Sequence, residues 1–110
     1  MALDGDLDVT PAADAVEFVL TVSNPDPDPV ELRFRSSLAV DFAVLDGERE
    51  VWRYSDGRAF AQQLRTDRLE PGESPLASAT WRACAPGEYR VRATLRAENQ
   101  PLEWEASFSV

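Results

Sequence analysis

The sequence predicts an all-β domain, an immunoglobulin-like antiparallel β-sandwich of about eight or nine short strands with at most one short helix. Two observations carry this prediction. Apolar and polar residues alternate over short runs, and turn signals rich in Pro, Gly and Asp separate the runs at regular spacing. The length of 110 residues and the hydrophobic fraction of 44% suit one domain, residues 1–110, that can bury a core without disulfides.

The strands of the first half are marked by apolar residues at every second position. Leu7 and Val9 mark a brief first strand. Segment 23–29 contains three prolines, which cannot join a central ladder, so it is an extended connection. An Asp-Gly pair at 46–47 signals a hairpin, with residues 50–54 as the returning strand. The apolar faces of the strands between are Val16, Phe18, Leu20 and Val22, then Val30, Leu32 and Phe34, then Val40, Phe42 and Val44.

Segment 55–68 breaks this alternation. It opens on an Asp-Gly turn signal, and the spacing of Phe60, Ala61 and Leu64 fits one helical turn as well as a loop. We therefore expect the longest irregular stretch of the domain here, before an extended run resumes at its end.

Two Pro-Gly pairs organise the second half. Residues 70–73 and 85–88 each place Pro and Gly at the two central positions of a type II turn. Tyr89 begins a late strand and is a candidate tyrosine corner, whose hydroxyl would bond the backbone upstream. The inward residues of the last three strands are Ala77, Ala79 and Trp81, then Tyr89, Val91, Ala93 and Leu95, then Leu102, Trp104, Ala106, Phe108 and Val110.

The last hairpin also carries opposite charges on its outward face. Arg90, Arg92 and Arg96 would lie opposite Glu103 and Glu105. Cross-strand pairs of opposite charge stabilise a hairpin by roughly 0.2–1 kcal/mol each, so they favour this register.

The charge balance bears on partners and location. Acidic residues outnumber basic ones by 20 to 11, giving a net charge of −9. A surface of this sign repels nucleic acid and anionic membranes, so neither is an expected partner. No stretch approaches the roughly 18 apolar residues of a membrane span. The first ten residues carry three aspartates and no basic apolar run, so we expect no secretory signal and a cytoplasmic protein.

The lack of histidine narrows the chemistry. A Ser-His-Asp triad, a Cys-His pair and a histidine-ligated zinc site are all impossible without it. Cys84 is the only cysteine, so it allows no intrachain disulfide, and we interpret it as an ordinary half-buried side chain. The carboxylates are spread over alternating strand positions, as on solvated faces. We therefore expect no metal, no cofactor and no enzyme.

The composition also carries an environmental signal. All 11 basic residues are arginine, and both lysine and isoleucine are absent, which indicates a GC-rich genome. Together with the acid excess, this predicts a salt-adapted cytosol such as that of a halophilic archaeon, because high salt screens self-repulsion. The alternative is an acidic protein of ordinary salt conditions.

The most informative segment is 50–60, with Gln62 just beyond it. It packs three aromatic residues, two arginines and a turn into eleven residues. Trp, Tyr and Arg are the residue types that anchor protein–protein interfaces. The alternative is structural: Trp52 or Tyr54 fills the core and Phe60 closes its open end.

The run Glu-Val-Trp-Arg-Tyr-Ser-Asp-Gly-Arg-Ala-Phe at 50–60 resembles the signature of the bacterial intracellular proteinase inhibitor family, the BsuPI-type domain. Similar segments follow the family order over roughly residues 16–95. They are Val-Asp-Phe-Ala-Val at 40–44, Leu-Glu-Pro-Gly-Glu-Ser at 69–74, Trp81, and Pro-Gly-Glu-Tyr at 86–89. The resemblance implies an immunoglobulin-like sandwich that binds and restrains a subtilisin-type serine protease, without cofactor or catalysis.

We place the candidate interaction loop at residues 54–64, with Phe60, Leu64 or Tyr54 as the apolar residue that enters the protease. The alternative function is a non-inhibitory protein–protein interaction or accessory β-sandwich module, pairing through an exposed strand edge. The candidate protease-contacting residues are Trp52, Arg53, Tyr54, Ser55, Asp56, Gly57, Arg58, Phe60, Gln62 and Leu64.

Overall fold

The computed structural model describes residues 3–82 and 85–110, and within them the chain forms nine strands and no helix. The prediction of an all-β fold with eight or nine strands is confirmed. The strands are β1 (Asp4–Pro11), β2 (Ala15–Ser23), β3 (Val30–Ser36), β4 (Val40–Asp46), β5 (Arg49–Arg53), β6 (Gln62–Leu69), β7 (Leu76–Arg82), β8 (Glu88–Leu95) and β9 (Leu102–Ser109).

The nine strands are arranged in three antiparallel sheets around one core, as an immunoglobulin-like sandwich. Four strands form the largest sheet, in the order β5-β4-β8-β9. The other two sheets are one of order β1-β2-β7 and a pair, β3-β6. Strand β1 also lies beside β9, which brings the two layers together at one side.

The core consists of the inward residues that the alternation predicts. Phe18 lies at its centre and is fully buried. Its ring lies 5.5 Å from that of Phe108, 6.1 Å from Trp52 and 6.3 Å from Phe42, measured between centroids. Three rings of the four-stranded sheet therefore meet on one residue of β2.

Strand β4 is buried more completely than alternation predicts. Ala43 and Leu45, the outward positions, are as inaccessible as the inward ones. Ala43 lies between Arg53 of β5 and Arg92 of β8 in the sheet register. The long stems of these arginines flank the small side chain, since arginine covers apolar surface while its head reaches water.

Strand β6 corrects the prediction for segment 55–68. The irregular stretch ends at Ala61, and residues 62–69 pair with β3 rather than forming a loop or helical turn. The alternation of apolar and polar residues did not predict this strand, because most of its side chains are exposed. The guanidinium of Arg65 lies 4.8 Å from the ring centroid of Phe34 on the neighbouring strand, so a polar residue occupies a position where the alternation requires an apolar one.

The two Pro-Gly segments differ in conformation. At 70–73 the amide of Glu73 donates to the carbonyl of Glu70 at 3.1 Å and Gly72 has φ of 82°, which confirms the type II turn. At 85–88 the prediction of the same turn is wrong. Gly87 has φ of 155° and exchanges two backbone hydrogen bonds with Val110, of 3.1 and 2.9 Å, so it extends the β8–β9 ladder instead. Cys84, just before it, lies outside the described residues.

The tyrosine corner is confirmed. The Tyr89 hydroxyl donates to the carbonyl of Ala85 at 2.7 Å. Its ring packs edge-on against Trp81, at 4.9 Å between centroids, and stacks on Phe108 at 5.8 Å. The hydroxyl therefore fixes the entry to β8 while the ring joins the aromatic core.

The charged pairs of the last hairpin form as predicted for two of the three arginines. Glu105 accepts from Arg92 at 2.8 Å and from Arg90 at 3.2 Å. The hydrogen bond from Arg92, reinforced by the charges of both arginines, holds the pKa of Glu105 below its usual value. Arg96 lies one residue beyond β8, and among the described residues the two glutamates pair only with Arg90 and Arg92.

Asn24 is a buried polar residue that the pattern did not single out. Its amide group donates to the carbonyls of Asp28 at 2.9 Å and Leu69 at 3.0 Å, and its oxygen accepts from the amide of Asp26 at 3.0 Å. One side chain thus satisfies three backbone groups, and it holds the proline-rich connection against the end of β6.

Replacing Asn24 with alanine is expected to lower the free energy of unfolding by about 1–3 kcal/mol, because it leaves these backbone groups without their partner. Urea unfolding followed by circular dichroism measures the change. Asn99→Ala is the matched control, because that amide makes two such bonds at an exposed site where water can replace them. Equal losses for both variants would contradict the proposed role of Asn24.

Candidate functional site

The candidate site is the loop of residues 54–61, which leaves β5 and crosses to β6. It begins with two overlapping turns, in which the amide of Asp56 donates to the carbonyl of Arg53 and the amide of Arg58 to that of Ser55, both at 3.2 Å. Gly57 has φ of 75°, a left-handed conformation that suits glycine. The Asp-Gly pair therefore produces the tight tip that the sequence predicts.

A buried carboxylate holds the start of this loop. Asp41 on β4 is 3% exposed. Its Oδ1 accepts from the amides of Phe42 at 2.9 Å and Ser55 at 3.1 Å, and its Oδ2 accepts from the Ser55 hydroxyl at 2.7 Å and from Arg53 Nη1 at 3.0 Å. With four donors, the buried charge is fully paired, as burial of an ion requires.

Arg53 links this buried carboxylate to a second one at the surface. Its guanidinium also donates to Glu50, from Nε at 3.1 Å and from Nη2 at 2.5 Å. The hydrogen bonds and charges of Glu50 and then Asp41 outweigh partial burial and raise the pKa of Arg53, so it stays charged. The Arg53 side chain therefore joins the end of β5 to the buried carboxylate of Asp41 on β4.

The aromatic residues of the segment pack inward. Tyr54 lies edge-on to Phe42 at 6.4 Å between centroids, and Phe60 lies 6.4 Å from Tyr54. Trp52 reaches Phe18 in the core. The rings of Trp52, Tyr54 and Phe60 thus form the base of the loop, and all three residues are only partly exposed. The alternative that the sequence left open, in which Trp52 or Tyr54 fills the core, therefore matches the positions of both side chains.

Arg58 packs on the ring of Tyr54. Its guanidinium carbon lies 4.4 Å from the centroid of the Tyr54 ring, and its Nε donates to the Tyr54 carbonyl at 3.0 Å. Such a cation–π contact holds an exposed arginine in one place. The loop therefore presents an ordered guanidinium at its surface.

The end of the loop has its own anchor. The amide of Ser37, between β3 and β4, donates to the carbonyl of Ala61 at 2.9 Å, and the amide of Ala61 donates to the Ser37 hydroxyl at 3.0 Å. The loop is thus fixed to the body at both ends, by Asp41 at the start and by Ser37 at the finish.

The structure separates the predicted residues into three groups. Trp52, Arg53, Tyr54, Ser55 and Phe60 are partly buried supports, whereas Asp56, Gly57 and Arg58, together with Ala59, are exposed at the tip. Gln62 and Leu64 lie on β6, beyond the loop, and Leu64 is 75% exposed. The predicted loop of 54–64 is therefore shorter by three residues.

Sequence reasoning missed two residues that hold the loop, Asp41 and Ser37. A signal for Asp41 is present, since it is the one charged residue inside the apolar run of β4 and therefore needs a buried partner. Ser37 carries no such signal in a segment rich in serine. Among the residues that the structure describes, no cluster of acidic residues or cysteine could hold a metal ion, and no helix could cross a membrane.

Residues 3–100 match the family described as intracellular proteinase inhibitor, BsuPI. The chain belongs to this family. The match extends beyond the range of the sequence resemblance and contains the whole BsuPI loop of 54–61 together with both of its anchors. Among curated proteins, none matches the chain.

Solved structures share the fold of this BsuPI domain at low identity. β-Glucosidase 3B from Thermotoga neapolitana, in complex with α-D-glucose, superposes with a TM-score of 0.54 at 15% identity, over 99% of this chain and 16% of that one. A β-glucosidase from Kluyveromyces marxianus, in complex with glucose, gives a TM-score of 0.55 at 16% identity, over 99% of this chain and 14% of that one. The chain thus spans about one sixth of these enzymes, and the likeness concerns the fold alone.

Proposed function

We propose that this BsuPI-family chain is a cytoplasmic inhibitor that binds a subtilisin-type serine protease through the loop of residues 54–61. The observation that carries the proposal is the attachment of this loop at both ends, which leaves residues 56–59 exposed on an ordered base. A loop that is already ordered loses little conformational entropy on binding, and such preorganisation favours tight association.

The size of the domain agrees with this role. Its accessible surface is 6642 Å². A protease–inhibitor interface takes about 800 Å² from each partner, which the loop and its neighbouring strands can provide. The domain itself needs no catalytic group for this, since inhibition rests on surface complementarity.

The test is a titration of the folded protein against a purified subtilisin-type serine protease, with residual activity followed on a small chromogenic substrate. We expect stoichiometric loss of peptidase activity. Because the domain must be native for the test, circular dichroism first verifies the β fold. Full activity at a large excess of folded protein would exclude this protease class as the target.

Replacing Phe60 with alanine is expected to weaken inhibition by at least about tenfold while the domain stays folded. The Phe60 ring supports Tyr54, and its loss removes both an apolar contact and the base of the tip. The inhibition constant measures the effect. Leu76→Ala is the matched control, since this apolar side chain is 67% exposed on β7, away from the loop. An unchanged constant for Phe60→Ala would remove this residue from the site.

A second candidate function is a non-inhibitory interaction module that pairs through a strand edge. Strands β6 and β7 each pair with one neighbour only among the described strands, and each carries an exposed leucine, Leu64 and Leu76. Unpaired edges of this kind accept a strand from another chain. A stable complex with a partner other than a protease, without effect on any protease, would favour this function.

We also propose that the acid excess adapts the chain to a salt-rich cytosol, as in a halophilic archaeon. The support lies in β1, where Asp4, Asp6 and Asp8 point outward in a row. Their cross-strand partners are Ser23, Thr21 and Val19, so no cation on β2 compensates them. Repulsion along this row weakens the folded state at low salt.

Raising the NaCl concentration from about 0.1 M to about 1 M shortens the Debye length from about 10 Å to about 3 Å. We expect the melting temperature to rise by several degrees as a result. A variant with Asp4, Asp6 and Asp8 replaced by asparagine should gain less from the same salt. A melting temperature that is independent of salt in the unsubstituted chain would contradict the adaptation.

A further inference from the structure

We infer that a basic patch beside the loop of 54–61 docks an acidic surface of the partner protein. The patch consists of Arg33 and Arg35 on β3 and Arg96 just after β8. The inference rests on the proposed function for the identity of the partner, the protease, and adds the chemistry of a second contact: a group of carboxylates on that protein.

These three arginines surround a single glutamate. Arg35 donates to Glu98 from Nε at 3.0 Å and from Nη2 at 2.5 Å. Glu98 lines one surface depression together with Arg33, and an adjacent one together with Arg35 and Arg96. The side chains thus form one continuous surface although they come from two separate segments of the chain.

The backbone holds these segments together. The amide of Glu98 donates to the carbonyl of Arg33 at 2.6 Å, and the amide of Arg33 donates to Asn99 Oδ1 at 2.8 Å. The Asn99 amide group in turn donates to the carbonyl of Glu31 at 2.8 Å. The turn between β8 and β9 is therefore fixed to β3, and the patch is built before any partner arrives.

The patch has the opposite sign to the rest of the molecule. Three arginines face two carboxylates on this surface, Glu98 and Glu31, the latter being the outward residue before Arg33 on β3, which leaves a local charge of +1. The whole chain carries −9. Because the Debye length is about 10 Å at 0.1 M salt and the molecule is 43 Å long, a partner at the patch is shielded from most of the distant acids.

Two of these guanidinium groups are free to bind. Within the described part of the chain, the side chains of Arg33 and Arg96 have no ion pair, although both residues are exposed. Planar guanidinium groups of this kind recognise carboxylates in a bidentate manner.

The patch adjoins the loop, so one partner can contact both. Ser36, which follows Arg35, is paired with Gln62, and Ser37 is bonded to Ala61 at the end of the loop. Charges at the rim of an interface chiefly set the association rate and the choice of partner. The patch therefore selects a protease with an acidic rim around its active-site cleft.

The test compares two doubly substituted full-length proteins with the same net charge. Arg33→Gln with Arg96→Gln removes patch charges, whereas Arg49→Gln with Arg82→Gln removes two exposed arginines on β5 and β7. The probe is a hexaglutamate peptide at about 0.1 M salt, followed by amide chemical shifts. We expect shifts at residues 33, 35, 96 and 98, and an affinity about fivefold lower for the patch variant alone.

Two further experiments identify the class of molecule that binds the patch. A single-stranded oligonucleotide of equal charge should bind more weakly than the peptide, and stronger binding would overturn the inference in favour of nucleic acid. With the subtilisin-type protease of the inhibition assay, the patch variant should associate about tenfold more slowly than the control variant. Equal peptide affinity and equal association rate for both variants would overturn the patch even if inhibition is intact. Peptide binding at the patch without any inhibition would support the patch and overturn the proposed function.

Discussion

Replacing Asp41 with asparagine is expected to lower the free energy of unfolding by about 1.5–3 kcal/mol, the range for hydrogen bonds to a charged group. The carboxylate is buried and accepts from four donors, and the asparagine amide faces two of them with a donor of its own. Because each oxygen accepts one bond from Ser55, either orientation of the asparagine amide removes one of the two bonds that Ser55 donates. We therefore expect a looser start of the loop as well as a less stable domain.

Two measurements separate these effects. Urea unfolding gives the change in stability, and hydrogen exchange of the Ser55 amide reports on the loop. Glu50→Gln is the matched control, because it alters the other partner of Arg53 at an exposed position, where an ion pair contributes less than about 1 kcal/mol. If both variants exchange at Ser55 as slowly as the original protein, the loop does not depend on Asp41.

The Asp41→Asn variant should also change the inhibition of the protease. If the tip at 56–59 binds the protease, then Asp41→Asn weakens inhibition because part of the binding energy must order the loop again. Asp41 touches no exposed residue of the tip other than through Ser55 and Arg53, so it acts as a positioning residue. An unchanged inhibition constant beside faster exchange at Ser55 would place the protease contact elsewhere.

Replacing Phe18 with alanine is expected to cost about 3–5 kcal/mol of stability, the range for a large aromatic residue removed from a packed core. The side chain is fully buried and touches the rings of Phe42, Trp52 and Phe108. A domain of this size has a total stability of about 5–15 kcal/mol, so the variant loses a large part of it.

Urea or thermal unfolding measures this loss. Leu64→Ala is the control, because its side chain is 75% exposed and its removal should change stability by no more than about 0.5 kcal/mol. A loss of less than about 1 kcal/mol in Phe18→Ala would mean that the rings around it close the space, and that the core is not centred on β2.

Strands with one buried and one exposed face could be predicted from the sequence. Strand β2 buries Val16, Phe18, Leu20 and Val22, and the alternation of these residues was enough to place it. The turn at 70–73 and the tyrosine corner at Tyr89 were also predicted, since each depends on chemistry within a few residues. Local rules suffice where the partner is local.

Strand β6 and Asp41 show where this reasoning ends. Strand β6 has no apolar alternation because it lies at an edge and is held by backbone bonds to β3, which no side-chain pattern records. The donors around Asp41 come from positions up to 14 residues away, and their meeting depends on the register between β4 and β5. Pairing of this kind is a property of the assembled sheet.

Residue types and their spacing were enough to predict the class of fold, the family signature at 50–60 and the strongly acidic charge. The packing of the sheets was needed to show which signature residues support the loop and which are exposed at its tip. It was also needed to show that arginines from two distant segments meet around Glu98 in an otherwise acidic molecule. The physical reason is that burial and electrostatic potential depend on distances in space, and those distances are set by how the sheets pack.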